Sequence, residues 1–440
     1  MKKLLLVLWV LAGVGAFMIF PLPWWGWLIY AVILLALIGA VAPDKGGAQS
    51  AAEPVDFEKA KKKAEDGDAD AQYSLGWCYA HGEGVEKDLA EAVKWYRAAA
   101  EQGHAGAQNG LGFGYKNGEG VEKDLAEAVK WFRKAAEQGY AKAQNNLGVC
   151  YQNGEGVEKD LVEAVKWYRA AAEQGNAAAQ YSLGWCYDKG QGVAKDEKLA
   201  VKWFRKAAEQ GYAKAQNNLG ECYYYGKGVE KDKTEAAKWY RAAAEQGNAA
   251  AQYSLGWCYD KGQGVAKDEK LAVKWYRAAA EQGNAAAQCN LGMCSQDMAE
   301  AEKWFRKAIE QGYTRAKFEL GQRYAHDEEP NMTEAVKWYR AAAKQGYAEA
   351  LYKMAMLYCS GRGVEKDRGE AAEWLEKAAE QGYVRAQLEL GKWYRFGFHD
   401  ACGNGVDKSK DLAIKWYRKA AEQGSKEALR ALREIEVKGE

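Results

Sequence analysis

One period governs this chain. Gln72, Gln108, Gln144, Gln180, Gln216, Gln252 and Gln288, each preceded by alanine, fall 36 residues apart. A fixed spacing of this length marks stacked supersecondary units rather than an ordinary single-core domain. Between Ala71 and Gly424 the unit occurs ten times, and Lys166–Trp203 recurs without a change as Lys238–Trp275. A block of 72 residues was therefore copied within the chain.

Each unit reads as a helix hairpin. In the first copy Ala71, Leu75, Cys78 and Tyr79 share a narrow arc at 100° per residue, which predicts a helix over 69–81 with that face buried. The turn Gly82-Glu83-Gly84-Val85-Glu86-Lys87-Asp88 follows, with glycines suited to left-handed backbone. Asp88 with Glu91 forms a capping box for a second helix, whose contact stripe is Ala92, Trp95, Tyr96, Ala99 and Ala100 and which Gly103 ends. Gly76 lies inside the first helix at a cost of about 1 kcal/mol against alanine, which predicts a close approach of two backbones there. One hairpin cannot bury both faces, so neighbours must stack into a solenoid.

The residues that carry this pattern, Ala-Gln-x-x-Leu-Gly-x-x-Tyr-x-x-Gly-x-Gly-Val-x-x-Asp-x-x-x-Ala-x-x-Trp-x-x-x-Ala-Ala-x-x-Gly, resemble the SEL-one-like repeat, a longer-turned relative of the tetratricopeptide repeat. The resemblance covers about four fifths of the chain. It implies an all-α fold, a right-handed superhelix of about ten 36-residue hairpins. It further implies a concave surface that holds a protein or peptide partner, and it implies no catalytic residue or cofactor. Because fold alone does not give function, this supplies an expectation of protein binding and no more.

Departures from the pattern fall late. Repeat seven has only Ser295-Gln296-Asp297-Met298 for its turn, and repeat eight has His326-Asp327-Glu328-Glu329-Pro330-Asn331. Repeat nine carries Met354-Ala355 in place of Leu-Gly, and repeat ten inserts residues around Phe396-Gly397-Phe398-His399-Asp400-Ala401-Cys402. The organisation expected is an anchor at 1–43, a flexible tether at 44–54, a capping helix at 55–68, repeats at 69–424 and a closing helix at 425–440.

The anchor differs in material. Leu4–Phe20 and Trp24–Ala42 are apolar runs without a charge, separated by Pro21-Leu22-Pro23, and each approaches the length that crosses a bilayer. Lys2 and Lys3 precede the pair while Lys45 and Lys59 to Lys63 follow it, a distribution that favours a transmembrane hairpin with both ends cytoplasmic in a bacterial inner membrane. The alternative places the repeats outside, on one cleaved or long anchor. With 62 basic and 61 acidic residues, no global field recruits nucleic acid.

Of nine cysteines, Cys78, Cys150, Cys186, Cys222, Cys258 and Cys294 share one repeat position on the buried face, where stacked hairpins hold them beyond disulfide reach. They read as small apolar residues, and their use leans toward a reducing compartment. Four histidines, His81, His104, His326 and His399, lie in separate repeats, and no phosphate loop or nucleophile elbow is present. The recurrent Gly-x-Gly-Val is a structural turn. His399, Asp400 and Cys402 are the one grouping that keeps an envelope-associated hydrolase in view; no metal site is assigned.

A sharper signal lies opposite the hairpin core. With Leu75 at 0°, positions 73, 77 and 80 fall at about 160°, 200° and 140°. There the chain places Tyr73, Trp77, Phe113, Tyr181, Trp185, Tyr224, Tyr253 and Trp257, interleaved with Asn109, Asn145 and Asn217. Rings give contact area and amides bond an extended backbone, so these are the candidate partner-binding residues. The competing reading has the rings packing against the adjacent repeat. Trp95, Trp131, Trp167, Trp203, Trp239 and Trp275 on the second helices are expected in the core. The functional expectation is a membrane-tethered scaffold or adaptor, with an immunity protein or inhibitor that sequesters an effector as the alternative.

Overall fold

The computed structural model describes residues 57–438, apart from 328, 400–402 and 404. The expected apolar segments 4–20 and 24–42 and the tether lie outside the described residues. Among the described residues no helix is long and apolar enough to cross a membrane.

Ten antiparallel helix pairs follow one another, with Phe57–Glu65 before the first and Lys426–Lys438 after the last. Each helix packs against its sequence neighbours, in the one-dimensional manner of a solenoid. The capping chemistry sets the boundaries. Asp88 accepts hydrogen bonds from Ala90 N (2.9 Å) and Glu91 N (3.0 Å) and so starts the second helix at Leu89. The first helix, Ala69–His81, ends at Gly82 in left-handed backbone at φ 75°. Gly120 is needed for a different reason: a Cβ there would sit 1.9 Å from the Leu89 carbonyl oxygen, and the same approach at Gly156, Gly192, Gly228 and Gly264 lays the turns of repeats two to six against the preceding repeat.

The helix-interior glycine receives a ring as well as a backbone. A Cβ on Gly76 would lie 2.7 Å from Tyr96 Cδ1 and 3.2 Å from the Ala92 carbonyl oxygen. The same fit recurs at Gly148 with Tyr168 and at Gly184 with Phe204. This corrects the expectation for the second-helix tryptophans. Trp131 is buried, whereas Trp95, Trp167, Trp203, Trp239 and Trp275 are half-buried. The fully buried ring is the next residue along, as at Tyr168, Phe204 and Tyr276. The glycine notch accepts one ring per hairpin, and the tryptophan is displaced to the seam between repeats. Lys134 Nζ lies 4.0 Å from the Trp131 ring and Lys206 Nζ 4.5 Å from that of Trp203, which partly covers them.

Repeat nine shows the rule by its exception. Ala355 replaces the glycine, Leu375 replaces the aromatic ring, and both are fully buried.

The seams between repeats are polar as well as apolar. Arg97 Nη2 donates to the Tyr115 hydroxyl of the next repeat at 2.7 Å, and Arg133 does the same to Tyr151 at 2.7 Å. In the shortened repeat seven the first helix is only Ala285–Cys294, and the arginine of the preceding repeat, Arg277, pairs with Glu300 at 3.0 Å instead. The first helices of repeats seven and eight also come into contact with each other. Cys294, expected on the buried face, is exposed because it is the last residue of that truncated helix. The five other cysteines of this position, together with Cys289, are buried and free.

The repeat-ten insertion departs from the all-α expectation by a short antiparallel pairing, Phe398 opposite Val406 and His399 opposite Gly405. Phe398 is held between the Trp393 ring, 4.0 Å away and stacked, and the Arg368 guanidinium at 4.3 Å. Arg368 also donates to the His399 carbonyl oxygen. The hairpin thus fastens repeat ten to the second helix of repeat nine.

Candidate functional site

The first helices carry the candidate residues, and their surroundings are of three kinds, with Tyr73 and Asn109 each taking part in two. Some rings pack within the seams. Tyr181 lies 5.9 Å from Phe204 and 5.5 Å from Tyr212, centroid to centroid, and Trp185 is half-buried against the core. Tyr73 stacks on His104 at 4.5 Å and meets Tyr96 at 5.9 Å.

A second kind lines open cavities. Tyr73, Trp77, Asn109 and Phe113 border a space of about 400 Å³ between the first two repeats, with Tyr140 and Lys142 on its far side. Trp77 stacks on His81 at 4.3 Å, and Phe113 is 46% exposed, which leaves an apolar face open to a partner. In repeats five and six, Tyr224, Tyr225, Tyr253 and Trp257 border about 330 Å³. Tyr224 meets Trp257 edge-on, with centroids 5.5 Å apart and planes at 86°. Trp257 also borders the next cavity, about 250 Å³, with Asn290, Met293 and Arg315. One tryptophan therefore joins two recesses, and the exposed Tyr225 and Met293 flank it.

The third kind is the asparagines, whose amides are largely committed. Asn109 Oδ1 accepts from Asn146 Nδ2 of the next repeat at 2.9 Å. Asn217 is buried, and its Nδ2 donates to Glu221 at 3.0 Å. Asn145 is half-buried, and both Asn145 Oδ1 and Asn217 Oδ1 lack a hydrogen-bond partner among the described residues.

Residues not singled out in the sequence complete these recesses. Five first helices begin after a tyrosine that gives no side-chain cap, including Tyr140, Tyr212 and Tyr383, where other repeats use Asp68, His104 or Asn176. A capping residue has been exchanged for a ring, and that exchange was a readable signal. Burial raises the hydroxyl pKa of Tyr224 and Tyr253, which favours the neutral phenol at both. Elsewhere, His399 Nε2 lies 2.9 Å from Asp407, while Asp400 and Cys402 lie outside the described residues. Among the described residues no group of three histidine, cysteine or carboxylate side chains could hold a metal ion.

Comparison with known proteins places this architecture. The Sel1 repeat model matches ten consecutive segments, from 69–104 through 384–425, including the short ones at 285–313 and 314–347. Over 87% of its length the chain is similar to a protective antigen present in uropathogenic Escherichia coli strains displaying an SLR fold. It covers 91% of that protein at 36% identity and a TM-score of 0.59. Over 51% of its length it is similar to a Sel1 repeat protein from Oxalobacter formigenes, at 39% identity, 94% coverage of that protein and a TM-score of 0.47. No curated protein matches the chain. With the repeat model matched from residue 69 to 425, the chain belongs to the Sel1 repeat family.

Proposed function

We propose that this chain is a membrane-tethered scaffold whose repeats bind an extended segment of a protein partner, with no chemistry of its own. The carrying observation is Trp257, which borders two adjoining recesses and is flanked by Tyr224, Tyr225 and Met293. Half-buried aromatic anchors between recesses are where binding energy concentrates at interfaces. Sel1 repeat solenoids are a protein-binding type of scaffold, which supports the same reading. The apolar runs Leu4–Phe20 and Trp24–Ala42 would fix the repeats at a bacterial inner membrane, on the cytoplasmic side by the lysine distribution. Such a tether raises the effective concentration of a client near the bilayer.

The test is capture of partners from membranes by the full chain, compared with Trp257→Ala. Loss of an anchor at a hot spot is worth about 2 kcal/mol or more, so the captured partner should weaken at least tenfold while the melting temperature moves little. Unchanged capture, or a fall in melting temperature typical of a buried ring, would remove Trp257 from the site.

A further inference from the structure

The last three repeats change the chemistry of this face. Lys392 stands at the helix position of Trp185 and Trp257, and Lys353 at that of Asn146 and Asn218, while Arg315 and Arg385 continue a basic position held earlier by Lys142 and Lys214. Two of the four charges are satisfied internally: Arg315 pairs with Glu319 at 3.0 Å, and Lys392 with Glu389 at 2.8 Å and Glu427 at 2.9 Å. Two are not. Lys353 and Arg385 form no ion pair among the described residues, and both line a cavity of about 440 Å³ together with Phe318, Gln322, Tyr352 and Tyr383.

Lys353 is half-buried, with the Tyr339 ring 5.9 Å from its Nζ. Burial and the neighbouring Arg362 guanidinium hold its ammonium below the ordinary lysine value. A half-buried cation that forms no ion pair is an arrangement that an incoming anion relieves. Tyr339 donates its hydroxyl to Gln322 Oε1 at 3.1 Å, which leaves the amide N–H groups of Gln322 as unspent donors. Glu349, also at the cavity and free of any ion pair, is an acceptor for a peptide N–H.

The ligand chemistry follows from having cations and rings in one space. We propose that this cavity receives the free carboxyl terminus of the partner peptide, with Lys353 and Arg385 on the carboxylate and the terminal side chain among Phe318, Tyr352 and Tyr383. A terminal residue brings an anion and an apolar side chain from one Cα, whereas an internal aspartate or glutamate brings the anion and leaves the rings unfilled. The inference rests on the peptide-binding reading and gives that groove a direction: the partner ends at repeats eight to ten.

The probe is a fluorescein-labelled Gly-Ser-Gly-Ser-Ala-Phe peptide, as the free acid and as the C-terminal amide, titrated against the full chain in detergent by fluorescence polarisation. The acid should bind about tenfold tighter or more, the scale of hydrogen bonds to a charged group, with the preference shrinking as salt is added. Lys353→Met and Arg385→Gln should each erase the acid–amide difference, and Lys353→Met should not lower the melting temperature because it removes a desolvated charge. Arg385 is exposed, so its variant gives a reading even if the lysine variant fails to fold. Equal affinity of acid and amide, an amide with an internal glutamate binding as tightly as the acid, or no binding of either at millimolar concentration overturns the proposal. Trp257→Ala should leave the acid–amide ratio unchanged, so failure here and failure of the aromatic site are read separately.

Discussion

Gln102 Nε2 donates to Gln72 Oε1 at 2.8 Å, and Gln72 Nε2 in turn donates to the Ala64 carbonyl oxygen at 3.0 Å. The relay joins the end of a second helix to the first helix of its own repeat and to the end of the helix before it. It recurs as Gln138 to Gln108 to Ala100 and as Gln210 to Gln180 to Ala172. The alanine-glutamine pair that sets the period is thus the polar splice between hairpins, and it adds a side-chain donor to a helix-end carbonyl that also accepts from the backbone, as Ala100 does from Gly103 N.

Replacing a central member should therefore cost more than its size suggests. Gln180→Leu removes two side-chain hydrogen bonds, the one it donates to the Ala172 carbonyl and the one it accepts from the Gln210 amide, and a loss of about 1–3 kcal/mol is expected in urea unfolding. Gln210→Leu, at an exposed position, leaves Gln180 bonded to Ala172 and should cost less. Equal losses for the two would contradict the relay.

The notch between glycine and ring gives a paired prediction. Gly148→Ala forces Tyr168 to shift, since the added Cβ would stand 2.7 Å from its ring, and about 1–3 kcal/mol should be lost. In repeat nine Leu375→Phe should be destabilising beside Ala355, and Ala355→Gly should recover part of that loss. A double-mutant cycle on melting free energies measures the coupling, and additivity within about 0.5 kcal/mol would show that the notch does not select the ring.

The duplicated block offers a test of nearest-neighbour stacking. Deleting Lys166–Ala237 joins Val165 to Lys238 and regenerates the original seam, because Lys238–Trp275 repeats Lys166–Trp203. The shortened chain should keep a cooperative melt and the same ellipticity per residue. A non-cooperative melt would show that coupling runs further than adjacent repeats.

Buried thiols set an alkaline limit. Burial pushes Cys150, Cys186 and Cys258 up to about 11 and Cys222 to about 12, from an ordinary 9.0. Between those values the folded chain holds protons that the unfolded chain has released, so stability falls as pH rises from about 9 through about 11–12. Chemical unfolding at pH 8, 9.5 and 11 should show the decline, and flat stability over that range would refute it. At pH 8 a thiol reagent should label the exposed Cys294 before any of these four.

The sequence by itself determined the local units. Aspartate with a glutamate three residues on, a glycine pair in the turn and an apolar arc at 100° per residue each fix backbone conformation within a few residues, so the helix pair is legible without neighbours. The period then required stacking. What a helical wheel could not decide was which of two adjacent rings is buried, since Trp167 and Tyr168 both flank the apolar stripe. The Gly148 notch on the facing helix settles it for Tyr168 and sends Trp167 to the seam. The asparagines were ambiguous for a similar reason: Asn109 is spent on Asn146, 37 residues away, and Asn217 is buried. The tertiary structure also separated rings that line recesses, such as Trp257, from rings packed in seams, such as Tyr181, although both sit on the same side of their helices. The distinction arises between repeats, where capping residues, tyrosines at helix starts and the lengths of turns bring different neighbours against the same position, and no property of a single helix encodes it.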